Sequence, residues 1–151
     1  MKHLLIVYHS QTGNTARLAE AALAGAGAET DTETRLLRAF DAGLDDLLWC
    51  HGLLLGTPEN FGYMSGAIKD FFDRTYTDAE PLDLQLPYAL FVSAGNDGSG
   101  AVREMDRILR GYPMKKVADP VIAKGDITPA HLAAASELGL TLAAGLAFGI
   151  F

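Results

Sequence analysis

His3-Leu4-Leu5-Ile6-Val7-Tyr8-His9-Ser10-Gln11-Thr12-Gly13-Asn14-Thr15 is the stretch that decides the fold. His3 to Tyr8 is a continuous apolar run, the pattern of a strand buried on both faces of a sheet. A short polar loop follows. From Thr15 to Ala24 the chain becomes rich in Ala and Leu, good helix formers, with Asn14 placed as an N-cap and Gly25 as a stop. Strand, tight loop and helix in that order form the opening unit of a parallel α/β sheet.

The same alternation continues along the chain. A second strand is expected over Thr32 to Leu37, then a helical turn around Leu44 to Leu48. Gly52 to Gly56 reads as a third buried strand stopped at Thr57-Pro58, with a loop from Pro58 to Tyr63. Ile68, Phe71, Phe72 and Thr75 then recur at i, i+3, i+4 and i+7, the stripe of a helix laid against a sheet. Tyr88 to Ala94 is the fourth strand, Gly95 to Gly100 a loop of small residues, and Val102, Met105, Ile108 and Leu109 face inward from the next helix. Val117 to Ala123 is a fifth strand, shortened or kinked by Pro120. Thr128 caps a final helix with Pro129 at its first position. Five alternations predict a doubly wound α/β sheet of five parallel strands with helices on both faces. Ligands of such sheets bind beyond the carboxyl ends of the strands, where strand order reverses. The loops after strands one, three and four should therefore meet at one site.

Composition narrows the function classes. The chain has 151 residues, 49% hydrophobic and 21% charged, which fits one globular domain over residues 1–151 and argues against disorder. A net charge of −7 makes nucleic acid and anionic membranes poor partners, while a basic protein partner is compatible. A single cysteine, Cys50, permits no internal disulfide and no Cys-based metal site, so a reducing cytoplasm is the expected compartment. Lys2 with Leu4 to Tyr8 mimics a signal peptide but is too short in its apolar part. The apolar Leu138 to Phe151 has about fourteen residues against the ~20 needed to span a bilayer, and is expected to be a helix packed on the sheet.

Three loops carry the chemistry. Ser10-Gln11-Thr12-Gly13-Asn14-Thr15 contains no Lys or Arg, so its suitability for phosphate rests on backbone N–H groups, hydroxyls and the positive end of a helix. An ordinary turn and cap would use the same residue types, and on this loop alone the two readings are even. Neither Gly-x-x-x-x-Gly-Lys-Ser/Thr nor a Gly-x-Gly-x-x-Gly after the first strand occurs. Thr57 to Gly66, with Phe61 and Tyr63, could present backbone groups edgewise to a flat heterocycle or simply cover the core. Ser93 to Gly100 would by itself be a flexible connection.

Taken together, Ser10 to Thr15 resembles the phosphate loop of flavodoxins, and Gly56-Thr57-Pro58 with Phe61-Gly62-x-Met64-Ser65-Gly66 resembles the flavin loop of flavodoxin-like reductases. The resemblance implies a flavodoxin-like sheet of order 2-1-3-4-5 with FMN at the switch point, the arrangement given for flavodoxin in the general rule for such sheets. It implies that Ser10, Gln11, Thr12, Gly13, Asn14 and Thr15 hold the FMN phosphate. Thr57, Pro58, Glu59, Asn60, Phe61 and Gly62 would line the flavin ring, with Ser93, Gly95, Asn96, Asp97 and Gly98 closing the other side. The sequence departs from many electron-carrier flavodoxins in having no aromatic residue between Ser93 and Gly100, and it has no long insertion in the fifth strand.

The resemblance further implies an FMN-dependent oxidoreductase that takes a hydride from NAD(P)H and reduces a quinone or another small acceptor. No catalytic side chain is required, because the cofactor carries the chemistry. The alternative is a flavodoxin-type electron carrier that docks a basic redox protein through its acidic surface. Cys50 is expected to be structural, and His3, His9, His51 and His131 show no ligand spacing, so no metal site is expected. His9 alone lies near the phosphate loop. Asp45-Asp46 suggests the acidic pocket of a phosphorylated receiver domain, but that pocket needs acids where Tyr8-His9-Ser10 stand.

Overall fold

The computed structural model describes residues 1–151. Five strand positions alternate with helices as the sequence predicts: β1 (Lys2–Tyr8), α1 (Asn14–Ala26), β2 (Thr32–Arg38), α2 (Leu44–Trp49), β3 (Gly52–Pro58), α3 (Gly66–Ala79), β4 (Pro87–Ala94), α4 (Ser99–Leu109), β5 (Lys115–Lys116), β6 (Val121–Lys124) and α5 (Pro129–Ala147). The sheet runs β2-β1-β3-β4-β5 with β6 also on β4, and every pairing is parallel. The order 2-1-3-4-5 therefore holds, with the fifth position divided between two short strands. Val117 N–H still donates to Tyr88 O at 3.0 Å, and residues 118–120 then leave the ladder, where Pro120 supplies no N–H and restricts Asp119.

Alternation along the strands explains the two cores. Leu5, Val7, Leu53, Leu55, Leu90 and Val92 point to the face covered by α2, α3 and α4, where Ile68, Phe71, Phe72 and Met105 are buried against them. Leu4, Ile6, Leu54, Ala89 and Phe91 point to the opposite face, covered by α1 and α5 through Leu18, Ala22, Leu138 and Leu142. Strands buried on both faces need apolar residues at every position, which is why they read as unbroken runs.

β3 runs two residues past the expected Gly56, to Pro58, and both expected boundaries of α1 shift. Gly13, in the left-handed region at φ 103°, is the N-cap of α1, so Asn14 is already helical and its side chain caps nothing. The helix also continues through Gly25 to Ala26. A Cβ on Gly25 would stand 1.9 Å from the Ser136 carbonyl oxygen of α5 and one on Gly139 2.0 Å from that of Ala22, so the two glycines let α1 and α5 cross closely. The final helix starts as expected: the Thr128 hydroxyl accepts from the His131 N–H, and Pro129 occupies the first position. The helix α5 is long and apolar enough to cross a bilayer, with a mean hydropathy of 1.3, and one face of it, with Ala135, Leu138, Leu142, Ala143 and Leu146, is buried in the core shared with α1 and the sheet; it ends at Ala147, so Phe148 to Phe151 lie beyond the helix.

Candidate functional site

The carboxyl ends of β1, β3 and β4 carry the three loops, and direct hydrogen bonds join them. Asn60 Nδ2 donates to Gln11 Oε1 at 3.0 Å, linking the second loop to the first. Thr15 and Ser93 share a buried hydroxyl bond of 2.7 Å, linking the first helix to the end of β4. Glu59 binds the second loop to the third twice over. Its N–H donates to Ser93 O at 2.8 Å, and its carboxylate accepts from Gly98 N–H at 2.9 Å and Ala101 N–H at 3.3 Å. This carboxylate thus caps the start of α4 and is committed to holding the site together.

Between the loops lies a cleft of about 330 Å³. Gln11, Thr12, Asn14 and Thr15 form its floor, Pro58, Glu59 and Asn60 one wall, and Ser93 and Gly95 the other. Three lining residues escaped the sequence reading: Ala94, Gly125 and Asp126, the last two from the turn after β6. The Gly-Asp pair between a strand and a helix cap was a visible turn signal, but nothing in the sequence places the fifth loop against the first.

The remaining expected residues stand elsewhere on the same loops. Ser10 and Gly13 face a neighbouring cavity on the β2 side of the first loop. Thr57 is fully buried, accepting from Ser65 N–H at 2.9 Å and donating to Pro58 O at 2.8 Å, and so closes the base of the second loop. Phe61 and Gly62, at φ 54° and 73°, are the central residues of a two-residue turn closed by paired bonds between Asn60 and Tyr63. The Phe61 ring is fully exposed at that tip. Asn96 and Asp97 are exposed on the third loop, and the Ser99 hydroxyl beside Asp97 holds its carboxyl below the usual range. Gly98 is buried, and the space beside its Cα is taken by the Ile122 side chain. The open part of this loop is Gly95 to Asp97; a side chain at Gly95 would meet no atom within 4 Å.

The first loop suits a phosphate. Of the amides from Ser10 to Ala16, only that of Gly13 finds a protein acceptor, the Ser10 hydroxyl at 3.1 Å; those of Gln11, Thr12, Asn14 and Thr15 remain free donors at a helix start. Unpaired N–H groups gathered on a cleft floor are an anion cradle. Apart from Glu59 and Asp126 the lining residues are uncharged, which a neutral heterocycle can accept.

Other candidates lie outside the cleft. Cys50 is buried at the opposite edge, donates to Leu47 O at 3.4 Å, and has its thiol pushed up to about 12 by burial. His3 and His51 sit at that same edge with Trp49, and His131 caps its own helix. His9 is the one histidine beside the cleft, on the neighbouring cavity. Its Nδ1 lies 3.0 Å from the Ser65 hydroxyl, and burial lowers its pKa. No group of three His, Cys, Asp or Glu is placed to hold a metal ion.

A doubly wound sheet with an anion cradle and a heterocycle cleft at its switch point defines a flavodoxin-like, FMN-binding protein. The family model for NADPH-dependent FMN reductases matches residues 39–127, a segment holding the second and third loops and the Gly125-Asp126 turn, and the chain belongs to this family. A flavodoxin of Aquifex aeolicus (strain VF5) is 38% identical over 101 residues, which cover 66% of this chain and 54% of that protein. An NAD(P)H dehydrogenase (quinone) of Acidithiobacillus ferrooxidans (strain ATCC 53993 / BNL-5-31) is 30% identical over 95 residues, 50% of this chain and 48% of that one. The chain spans about half the length of these curated relatives. The fold is shared with an archaeal flavodoxin, at a TM-score of 0.83 and 23% identity over 95% of this chain and 98% of that one. It is also shared with a flavodoxin, WrbA-like protein of Agrobacterium tumefaciens, at 0.80 and 19% over 99% of each.

Proposed function

We propose that the chain acts as a single-domain FMN-dependent oxidoreductase in the cytoplasm, oxidising NAD(P)H and reducing a quinone or another small acceptor. The observation that carries this reading is the open β4–α4 loop: Gly95, Asn96 and Asp97 are exposed, carry no aromatic ring, and leave empty space beside Gly95. A planar donor needs such space, because hydride transfer requires reacting atoms within roughly 3–3.5 Å of each other.

In this reading the amides of Gln11, Thr12, Asn14 and Thr15, with the hydroxyls of Thr12 and Thr15, hold the FMN phosphate, while the Ser10 hydroxyl shapes the loop by accepting from Gly13 N–H. Thr57 to Gly62 form one wall for the ring and Ser93 with Gly95 to Gly98 the other. FMN, when bound, supplies a ring that accepts a hydride and gives up electrons singly or in pairs. The protein supplies orientation. Glu59 fixes the distance between the two walls, Asn60 and Gln11 fix the second loop over the first, and Asp126 adds an acceptor for hydroxyl groups at the cleft's remaining side.

A second reading, a flavodoxin-type carrier that docks a basic redox protein, is favoured by the net charge of −7 and by the similarity to the Aquifex flavodoxin. Anaerobic stopped-flow mixing of the FMN-loaded protein with NADH and with NADPH separates the two. Rapid bleaching of the flavin absorbance by either nucleotide, with multiple turnovers when a quinone is added, is expected. Bleaching only when a separate reductase protein is supplied would establish the carrier.

A further inference from the structure

Beside the FMN cleft, on the β2 side of the same loop, lies a second cavity of about 400 Å³. The phosphate loop is the wall between them: Gln11, Thr12, Asn14 and Thr15 face the first cavity, Ser10 and Gly13 the second. The far wall of the second cavity is Arg38, at the end of β2, and Phe40, in the single 3-10 turn Ala39–Asp41 that follows it.

Phe40 is a large apolar ring left 66% exposed, on a turn that is not free to bury it. The Arg74 guanidinium of α3 donates to Ala39 O at 2.9 Å and to Ala42 O at 2.8 Å, and both alanines are buried, so the turn is clamped from beneath. His9 meets Phe40 edge-on, with ring centroids 6.0 Å apart. Arg38 donates through Nε to Asp41 at 3.0 Å, which leaves its two terminal nitrogens without a protein acceptor. A fixed, exposed aromatic face beside a guanidinium fork matches a planar base joined to a phosphate: aromatic rings stack bases, and the fork pairs with phosphate oxygens.

We propose that this cavity is a second nucleotide subsite, taking a nucleoside phosphate with its base on Phe40 and its phosphate on Arg38. The inference rests on the reading above only in placing the FMN phosphate on the other side of the loop. Three sources offer this chemistry: the adenylate end of a nicotinamide dinucleotide, the adenylate end of FAD, or a free nucleotide.

Calorimetric titration of the FMN-loaded full chain with 2′,5′-ADP and with 5′-AMP tests it. Saturable binding is expected, with amide NMR shifts at Arg38 to Asp41, and Arg38→Ala and Phe40→Ala should each weaken it by about tenfold or more. Both side chains are exposed, and an unchanged FMN content in each variant verifies that the fold and the cofactor cradle are intact. No heat at millimolar nucleotide, or binding that neither substitution weakens, overturns the proposal. Competition by NADPH, with a KM for NADPH raised in Arg38→Ala at constant kcat, assigns the subsite to the donor. FAD binding more tightly than FMN only while Phe40 is present assigns it to FAD. Binding of 5′-AMP without either assigns it to a free nucleotide. The titration involves no redox step, so nucleotide binding without flavin bleaching would remove the reductase reading and leave the subsite standing.

Discussion

At the scale of single residues, Gly100 shows how tightly the second and third loops are matched. A Cβ there would lie 2.2 Å from the Gly62 carbonyl oxygen and 2.9 Å from its carbon, backbone atoms that can yield only by moving the whole loop. Gly100→Ala should therefore cost about 1–3 kcal/mol of stability in urea unfolding and weaken FMN binding in a fluorescence titration, whereas Gly95→Ala should do neither. Gly95→Trp is the complementary probe: it fills the open side of the cleft, and should slow flavin reduction by NAD(P)H more than it weakens FMN binding. Titration tests His9. Its pKa in the folded protein lies below the ordinary 6.5 because burial disfavours the cation. The unfolded chain thus binds the proton first, so the stability His9 contributes is complete above about pH 6.5 and declines as pH falls through the folded value. His51 is shifted the same way, also first by burial. Urea midpoints from pH 8 to pH 5 should fall less steeply in His9→Asn than in the parent; equal slopes would remove His9 from the account. The Cys50 thiol, buried and pushed up to about 12, should resist alkylation at pH 8 until the protein unfolds, and Cys50→Ser should leave FMN binding and turnover near parent values.

Among the elements, what was legible in the sequence is what periodicity and capping report. Leu53-Leu54-Leu55 had to be a strand buried on both faces, and Ile68, Phe71, Phe72 and Thr75 had to be one face of a helix; all seven are buried. Pro120 announced the break in the fifth strand. Gly25 misled because a glycine that ends a helix and one that admits a neighbouring helix look alike in a single sequence. Only the approach of Ser136 across the α1–α5 crossing separates the two roles. The site was legible to a similar depth. The three loops were found from their composition, but the Glu59 carboxylate turned to cap α4, and Asp126 entered the cleft from a fifth loop, because side-chain direction and loop proximity are tertiary facts. The crossing makes its own prediction. Gly139→Ala would place a methyl 2.0 Å from Ala22 O and force α1 and α5 apart, lowering stability by about 1–3 kcal/mol or more, while the neighbouring exposed Leu140→Ala should change it far less. Equal losses in urea unfolding would show that the two helices are not held by close backbone packing.

For the whole molecule, the charge distribution poses a question that binding measurements can answer. A protein of net charge −7 is to hold a phosphate, and the loop assigned to that phosphate contains neither Lys nor Arg. Long-range electrostatics oppose the encounter, since both partners are negative. Attraction comes from amide groups and a helix start, which act only within the first turn. Salt screens the first effect far more than the second, because the Debye length is about 10 Å at 0.1 M while hydrogen bonds from amides act at contact distance. FMN affinity should therefore stay level or rise as salt increases from low ionic strength, the reverse of what a cation-lined phosphate site would do. Arg17, exposed one turn into α1, Arg38, beside the neighbouring cavity, and Lys124, next to Gly125 of the cleft, are cations that could change that sign. Fluorescence titration of the apoprotein with FMN at graded salt is the direct measurement, repeated with Arg17→Ala. A steep loss of affinity with salt, abolished by Arg17→Ala, would show that the guanidinium and not the backbone carries the phosphate. A level or rising affinity, unchanged in that variant, assigns the phosphate to the amides of Gln11, Thr12, Asn14 and Thr15.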